Sequence, residues 1–332
     1  MVIKSCDNTV LSVLNLSVVF KTENGQVTVV DDVSFKVKKK RTLGIVGESG
    51  CGKSVTALSI LRLLPQPVSF IKKGRIIFDG IDITQNDISH MDKIRGNRIS
   101  MIFQEPMTAL NPVHKIGKQI EEVIHIHHRK KSFDTIRAES VAMLCKVGIP
   151  DPEKRVNEYP HQLSGGMRQR IMIAMALACG PELLIADEPT TALDVTIQMQ
   201  ILTLLKKLQD ETGMAVIFIT HDLGVIAEVC DEVVVMYAGK IVEMANVFDL
   251  FRTPLHPYTK GLLASIPRLE NKRKTKLDAI KGMVPDLSAL PKGCRFVNRC
   301  PAAVEICSRK IPELVLLGTD HYASCHLLRK DA

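Results

Sequence analysis

The stretch Gly47-Glu48-Ser49-Gly50-Cys51-Gly52-Lys53-Ser54 has the residue types and spacing of a phosphate cradle. Its glycines let the backbone turn tightly, so that successive N–H groups and the positive end of a following helix dipole face a polyphosphate. In that arrangement Lys53 reaches the β- and γ-phosphates and the Ser54 hydroxyl ligates Mg²⁺. A second apolar run, 183–186, ends in the paired carboxylates Asp187 and Glu188. Asp187 suits Mg²⁺ through its water shell, and Glu188 suits polarising the water that attacks a γ-phosphate. Gln104 closes the apolar run 98–103; its neutral amide suits Mg²⁺ or the attacking water, though taken alone such a residue is a turn residue. Ser164-Gly165-Gly166 reads as an N-cap with bared helix amides, a second anion site separate from the first. Phe20 is either a ring that stacks on a purine or a core aromatic.

Each of these groups needs an element to position it. Residues 41–46 read as a buried strand entering the cradle, and residues 54–61 as an apolar helix leaving it. The runs 11–20 and 27–37, separated by Glu23-Asn24-Gly25-Gln26, predict a hairpin. Residues 74–80 and 98–103 predict further strands. Ile116, Ile120, Val123 and Ile124 recur at helical spacing, and a second helix is expected over 136–147, so an inserted helical subdomain spans about 113–170. His125, His127 and His128 lack a partner pair at zinc-ligand spacing and read as surface residues. Residues 191–194 start a helix, and the strand 215–220 ends in His221-Asp222. The polar groups thus fall at the C-terminal ends of strands, where an open parallel sheet binds ligands.

Composition narrows the function classes. The 332 residues are 45% hydrophobic, enough for a real core. No apolar run approaches the eighteen or so residues of a membrane span, and the first residues lack the layout of a signal peptide, so a cytoplasmic location is expected. The formal charge of +8 sits largely in short runs such as Lys38-Lys39-Lys40-Arg41 and Lys272-Arg273-Lys274. With 4% aromatic residues and no Trp there is little sign of a base-stacking platform, and no nucleic-acid partner is expected.

Taken jointly, the motifs resemble those of the ATP-binding-cassette ATPases: Walker A at 47–54, the Q-loop at Gln104, the signature Leu163-Ser164-Gly165-Gly166, Walker B at 183–188, the D-loop Ala192-Leu193-Asp194 and the switch His221. The resemblance implies an α/β fold: a P-loop NTPase core of RecA-like type, an N-terminal antiparallel β subdomain and the inserted helical subdomain. It implies a nucleotide-binding domain over 1–262 and a small Cys-containing C-terminal extension over 263–332. It also implies ATP and Mg²⁺, with Phe20 as the adenine-stacking aromatic, Glu188 as the catalytic carboxylate and His221 as the γ-phosphate sensor. In that family two cassettes sandwich two ATPs head to tail, each held between one subunit's Walker A and the other's signature loop.

The stretches 104–112 and 252–259 resemble those of cassettes serving bacterial di- and oligopeptide or nickel importers. That implies a second, usually different, cassette, two transmembrane permease subunits, an extracytoplasmic substrate-binding protein and a peripheral place on the cytoplasmic face of the membrane. Nickel import is an alternative within the family. A nucleic-acid-handling cassette ATPase is the rival from another class, although it usually carries a coiled coil, zinc module or second cassette; a regulatory cassette is a third reading.

Four of the nine cysteines, Cys294, Cys300, Cys307 and Cys325, crowd the C-terminal extension. A reducing compartment disfavours disulfides, and no gap is as short as a zinc-ribbon knuckle. Four irregularly spaced thiolates suit an iron–sulfur cluster, and Cys300-Pro301 points the same way. Some cassettes resembling this one carry a [4Fe–4S] centre at such a quartet, so a cluster is expected here, with zinc or free structural thiols as alternatives. Cys51, at a helix N-terminus, is either a thiol of lowered pKa or a small tolerated side chain.

Overall fold

Alternation of apolar and polar residues builds the N-terminal sheet. The computed structural model describes residues 8–23, 25–104, 109–191, 193–266 and 280–328, and divides into one unit of residues 1–84 with 218–332 and a second of residues 85–217. In the first unit Thr9–Thr22 pairs antiparallel with Gly25–Lys38 on one side and Ser69–Phe78 on the other, with Ile81–Asp82 at the edge. The hairpin expected from the sequence is present with longer strands, Thr22 facing Gly25; Asn24 lies outside the described residues. The pairing shifts register between Val13 and Leu16, where Asn15 and, across the ladder, Asp32 adopt left-handed backbone and bond through their side chains at 2.9 Å. Asn and Asp are the non-glycine residues that accept this conformation most readily, so the bulge is written into the sequence locally.

Behind the sheet lies the strand that carries the cradle. Thr42–Val46 is buried at every position and pairs parallel with Glu232–Tyr237, as expected of a strand covered on both faces. Glu232–Tyr237 turns back into Lys240–Asn246 through Ala238 and Gly239, both left-handed, the backbone a two-residue hairpin demands. Lys240–Asn246 then pairs with Tyr322–Ala323 of the C-terminal extension, which pairs with Val315–Leu316.

The second unit holds Ile99–Ile102 parallel to Leu183–Asp187, again a fully buried strand. Its helices Ile116–His127 and Phe133–Lys146 pack on one another and on Gly165–Leu177, with apolar Ile116, Ile120, Ile124, Ile136 and Leu144 turned inward. Val195–Thr212 follows, stopped by left-handed Gly213. The α/β architecture, the antiparallel N-terminal sheet and the helical region all agree with expectation. Among the described residues no helix is long and apolar enough to cross a membrane.

Candidate functional site

Gly47 opens the loop between Thr42–Val46 and the helix Lys53–Ile60 with φ +154°, and a Cβ there would lie 2.2 Å from the Met236 carbonyl oxygen. Only glycine lets the loop lie this close to the neighbouring strand. The Gly239 N–H donates to the Cys51 carbonyl at 3.0 Å, fastening the loop's far side. Lys53 is 6% exposed, and its ammonium donates to the carbonyls of Gly47 (2.8 Å) and Glu48 (3.2 Å). The charge is therefore stored against the loop's own backbone, at the place where a phosphate's oxygens would replace those carbonyls. Ser54 follows on the same first turn, half-buried. Cys51 is buried and its thiol is pushed up by desolvation, so of the two readings the small tolerated side chain stands.

Two residues outside the motif brace this loop. The Glu48 N–H donates to the Tyr258 hydroxyl at 3.0 Å, and Arg299 donates to both oxygens of the Glu48 carboxylate at 3.1 and 2.8 Å. Tyr237, Tyr258 and Phe296 are fully or almost fully buried and form an aromatic nest, with ring centroids 4.7 to 5.4 Å apart. Sequence reasoning missed these braces. The basic residues interleaved with the cysteines, Arg295 and Arg299, were their one visible signal. Of the other first-unit candidates, Phe20 is half-buried opposite Val27 and Ser69, and His221 is exposed just after Ala215–Thr220.

In the second unit Asp187 ends its strand at 3% exposure, and Glu188 follows with φ +47°. Left-handed backbone at a glutamate is strained, and such strain gathers where side-chain aim matters. One oxygen of its carboxylate accepts from the Gln104 amide at 3.0 Å and from the Thr191 hydroxyl at 2.9 Å. Gln104 and Glu188, chosen separately from sequence, are thus brought together. Ser164 caps Gly165–Leu177 by accepting from the Met167 N–H at 3.3 Å, and both Ser164 and Gly165 are exposed. Buried Gln169 on that helix donates to the Pro189 carbonyl, tying the capped helix to the carboxylate loop. Asp194 caps Val195–Thr212 through the Ile197 N–H at 2.9 Å; Ala192 of the same motif lies outside the described residues. Within the second unit, the Gln104 amide and the Asp187 carboxylate each carry an oxygen of the kind Mg²⁺ takes, as does the Ser54 hydroxyl within the first.

The iron–sulfur expectation is overturned. Among the described residues no group of three or more His, Cys, Asp or Glu is placed to hold a metal ion, and Cys294, Cys300, Cys307 and Cys325 are free thiols. Burial pushes Cys294 up to about 11 and raises Cys300 and Cys325 as well. The Cys294 N–H donates to the Cys307 carbonyl at 2.7 Å.

Residues 30–191 match the family described as ABC transporter, and residues 242–307 the one described as Oligopeptide/dipeptide transporter, C-terminal region. Over 322 residues the chain is 52% identical to the oligopeptide transport ATP-binding protein OppD of Bacillus subtilis, covering 97% of this chain and 90% of that one. The chain belongs to the ABC transporter ATP-binding proteins. The cassette is also 53% identical over 318 residues to the dipeptide transport ATP-binding protein DppD of Bacillus subtilis, covering 96% and 94% of the two chains. Among solved structures it resembles the ATP-binding cassette MJ0796, in a dimeric post-hydrolysis state bound to ADP and Pi, with a TM-score of 0.64, 28% identity and coverage of 71% and 98%. It resembles cbiO1 of Clostridium perfringens with the same TM-score and identity, covering 74% and 92%. This ABC cassette binds ATP and is an ATPase.

Proposed function

We propose that the cassette hydrolyses ATP to drive import of dipeptides or oligopeptides, as one of two cassettes beneath two permease subunits fed by an extracytoplasmic binding protein. It would sit on the cytoplasmic face of the membrane. The reading rests chiefly on one observation: likeness to peptide-import ATP-binding proteins runs through the C-terminal region, not only the cassette core. In this reading residues 1–262 form the nucleotide-binding domain, and residues 263–332 the extension.

The chemistry follows from the side chains. The 47–54 amides and Lys53 hold the β- and γ-phosphates, Phe20 stacks on adenine, and Ser54, Gln104 and Asp187 take Mg²⁺, which neutralises charge developing on the transferred phosphoryl group. Glu188, aimed by Gln104 and Thr191, polarises the attacking water, and His221 senses the γ-phosphate. Ser164-Gly165-Gly166 and Asp194 serve the partner cassette's nucleotide.

The test is uptake of a labelled peptide by cells lacking the chromosomal copy of this chain. Wild-type chain is expected to restore uptake and Glu188→Gln is not. Peptide uptake untouched by the deletion, with nickel uptake lost, would overturn the cargo and leave the ATPase.

A further inference from the structure

Arg299 lies in the C-terminal extension, outside every nucleotide motif, yet its guanidinium ends on the phosphate loop. Its side chain is 6% exposed, and one terminal nitrogen donates to both Glu48 oxygens, at 3.1 and 2.8 Å. The same nitrogen reaches the Tyr237 hydroxyl at 3.4 Å, and the guanidinium carbon stands 5.8 Å from that ring's centroid. The remaining donors go to the carbonyls of Lys281 at 3.2 Å and Ile280 at 3.4 Å. Burial works against the Arg299 charge, but bonding to Glu48 and Tyr237 together more than offsets it and holds the guanidinium above its usual range. An arginine this buried and this fully bonded is fixed in place, and it fixes what it holds.

What it holds is a carboxylate carried on a loop built for polyanions. Lys53 supplies one positive charge to that loop and Glu48 one negative charge, so without Arg299 the two cancel and the triphosphate meets an unpaired carboxylate. With Arg299 the carboxylate is neutralised and turned toward the extension, and Lys53 acts undiminished. We propose that Arg299 is a positioning residue for ATP binding, which acts by pairing the Glu48 carboxylate and thereby makes the C-terminal extension part of the nucleotide site. The proposal rests on the reading of 47–54 as the phosphate loop.

The test is a double-mutant cycle on the full chain, read as the Kd of a fluorescent ATP analogue with Mg²⁺, with thermal unfolding followed alongside. Arg299→Ala is expected to weaken binding about tenfold, the loss of a charge-assisted bond. Adding Glu48→Gln to Arg299→Ala should bring affinity back to within about twofold of wild type, because the unpaired charge is then gone. The defect of Arg299→Ala alone should shrink at high salt. A merely structural arginine would show neither rescue nor salt dependence. Arg299→Ala binding as tightly as wild type, or a double variant no better than the single, would overturn the proposal. If Arg299→Ala does not fold, the same cycle is run with Arg299→Met, which removes the charge and keeps most of the side-chain volume. Lys53→Ala separates the two layers: wild-type affinity there sinks the phosphate-loop reading itself, whereas lost affinity there with none lost at Arg299 sinks only this proposal.

Discussion

The phosphate loop and the carboxylate loop are held in opposite ways. Around 47–54 the residues Gly47, Cys51, Gly52 and Lys53 are buried, and the loop is held from several sides: Gly47 against a neighbouring carbonyl, Cys51 by Gly239, Glu48 by Tyr258 and Arg299, Lys53 by the loop's own oxygens. Around Glu188 the backbone is strained and the carboxylate is aimed by two side-chain hydrogen bonds, while Ser164 and Gly165 lie open. A cradle that must recognise a ligand on arrival is best built beforehand, because pre-formed donors cost no ordering when the ligand binds. Groups that, on the proposed function, respond to a γ-phosphate and to a second cassette gain from being few and lightly restrained. Binding and turnover should therefore break separately.

The sharpest break is at Glu188. Glu188→Gln is expected to lower ATP turnover by about a hundredfold or more while leaving nucleotide binding intact, measured as phosphate release beside analogue affinity. Turnover near the wild-type rate would remove Glu188 from the chemistry. Gly47→Ala should do the reverse. Its Cβ would meet the Met236 carbonyl oxygen at 2.2 Å, so the loop must shift, weakening nucleotide affinity about tenfold or more. An alanine variant with unaltered affinity would show that the rigid side of the comparison is not rigid. A finer probe is Thr191→Val, which removes one of the two donors to Glu188. Turnover is expected to fall about tenfold with affinity little changed. Equal losses in both would mean that the two loops are not separable.

How much of this could be read beforehand depended on distance along the chain. The cradle, the Ser164 cap and the hairpin are local: glycine spacing, a capping serine and alternating Val and Leu specify each within one contiguous stretch. Gln104 and Glu188 were each legible as strand-ending polar groups, but their bond joins positions 84 apart and has no local signature. The braces are more remote still, 210 residues from Glu48 to Tyr258 and 251 from Glu48 to Arg299. The cysteine quartet failed for a different reason. Spacing reports where thiols are along the chain but not whether the fold groups them to hold a metal, and among the described residues it does not. His256 was noticed only as part of a family-like stretch.

That histidine gives the mildest test, because it supports the rigid side through one hydrogen bond. His256 is 2% exposed, and its Nδ1 accepts from the Tyr258 N–H at 3.0 Å, which caps the helix that carries Tyr258 to Glu48. Burial, aided by Lys260, pushes its pKa down to about 3 from the ordinary 6.5. The unfolded chain therefore binds a proton below pH 6.5 that the folded chain refuses until about pH 3. The stabilisation is complete above 6.5 and is lost as pH falls through that window, at no more than about 1.4 kcal/mol per pH unit. His256→Asn keeps a capping acceptor without the titration. Urea unfolding between pH 7.5 and 5 should thus show a shallower acid loss for His256→Asn than for wild type, the difference isolating this residue from the other nine histidines. Parallel curves would mean that the ring is protonated in the folded chain, and that the Tyr258 brace does not depend on a neutral imidazole.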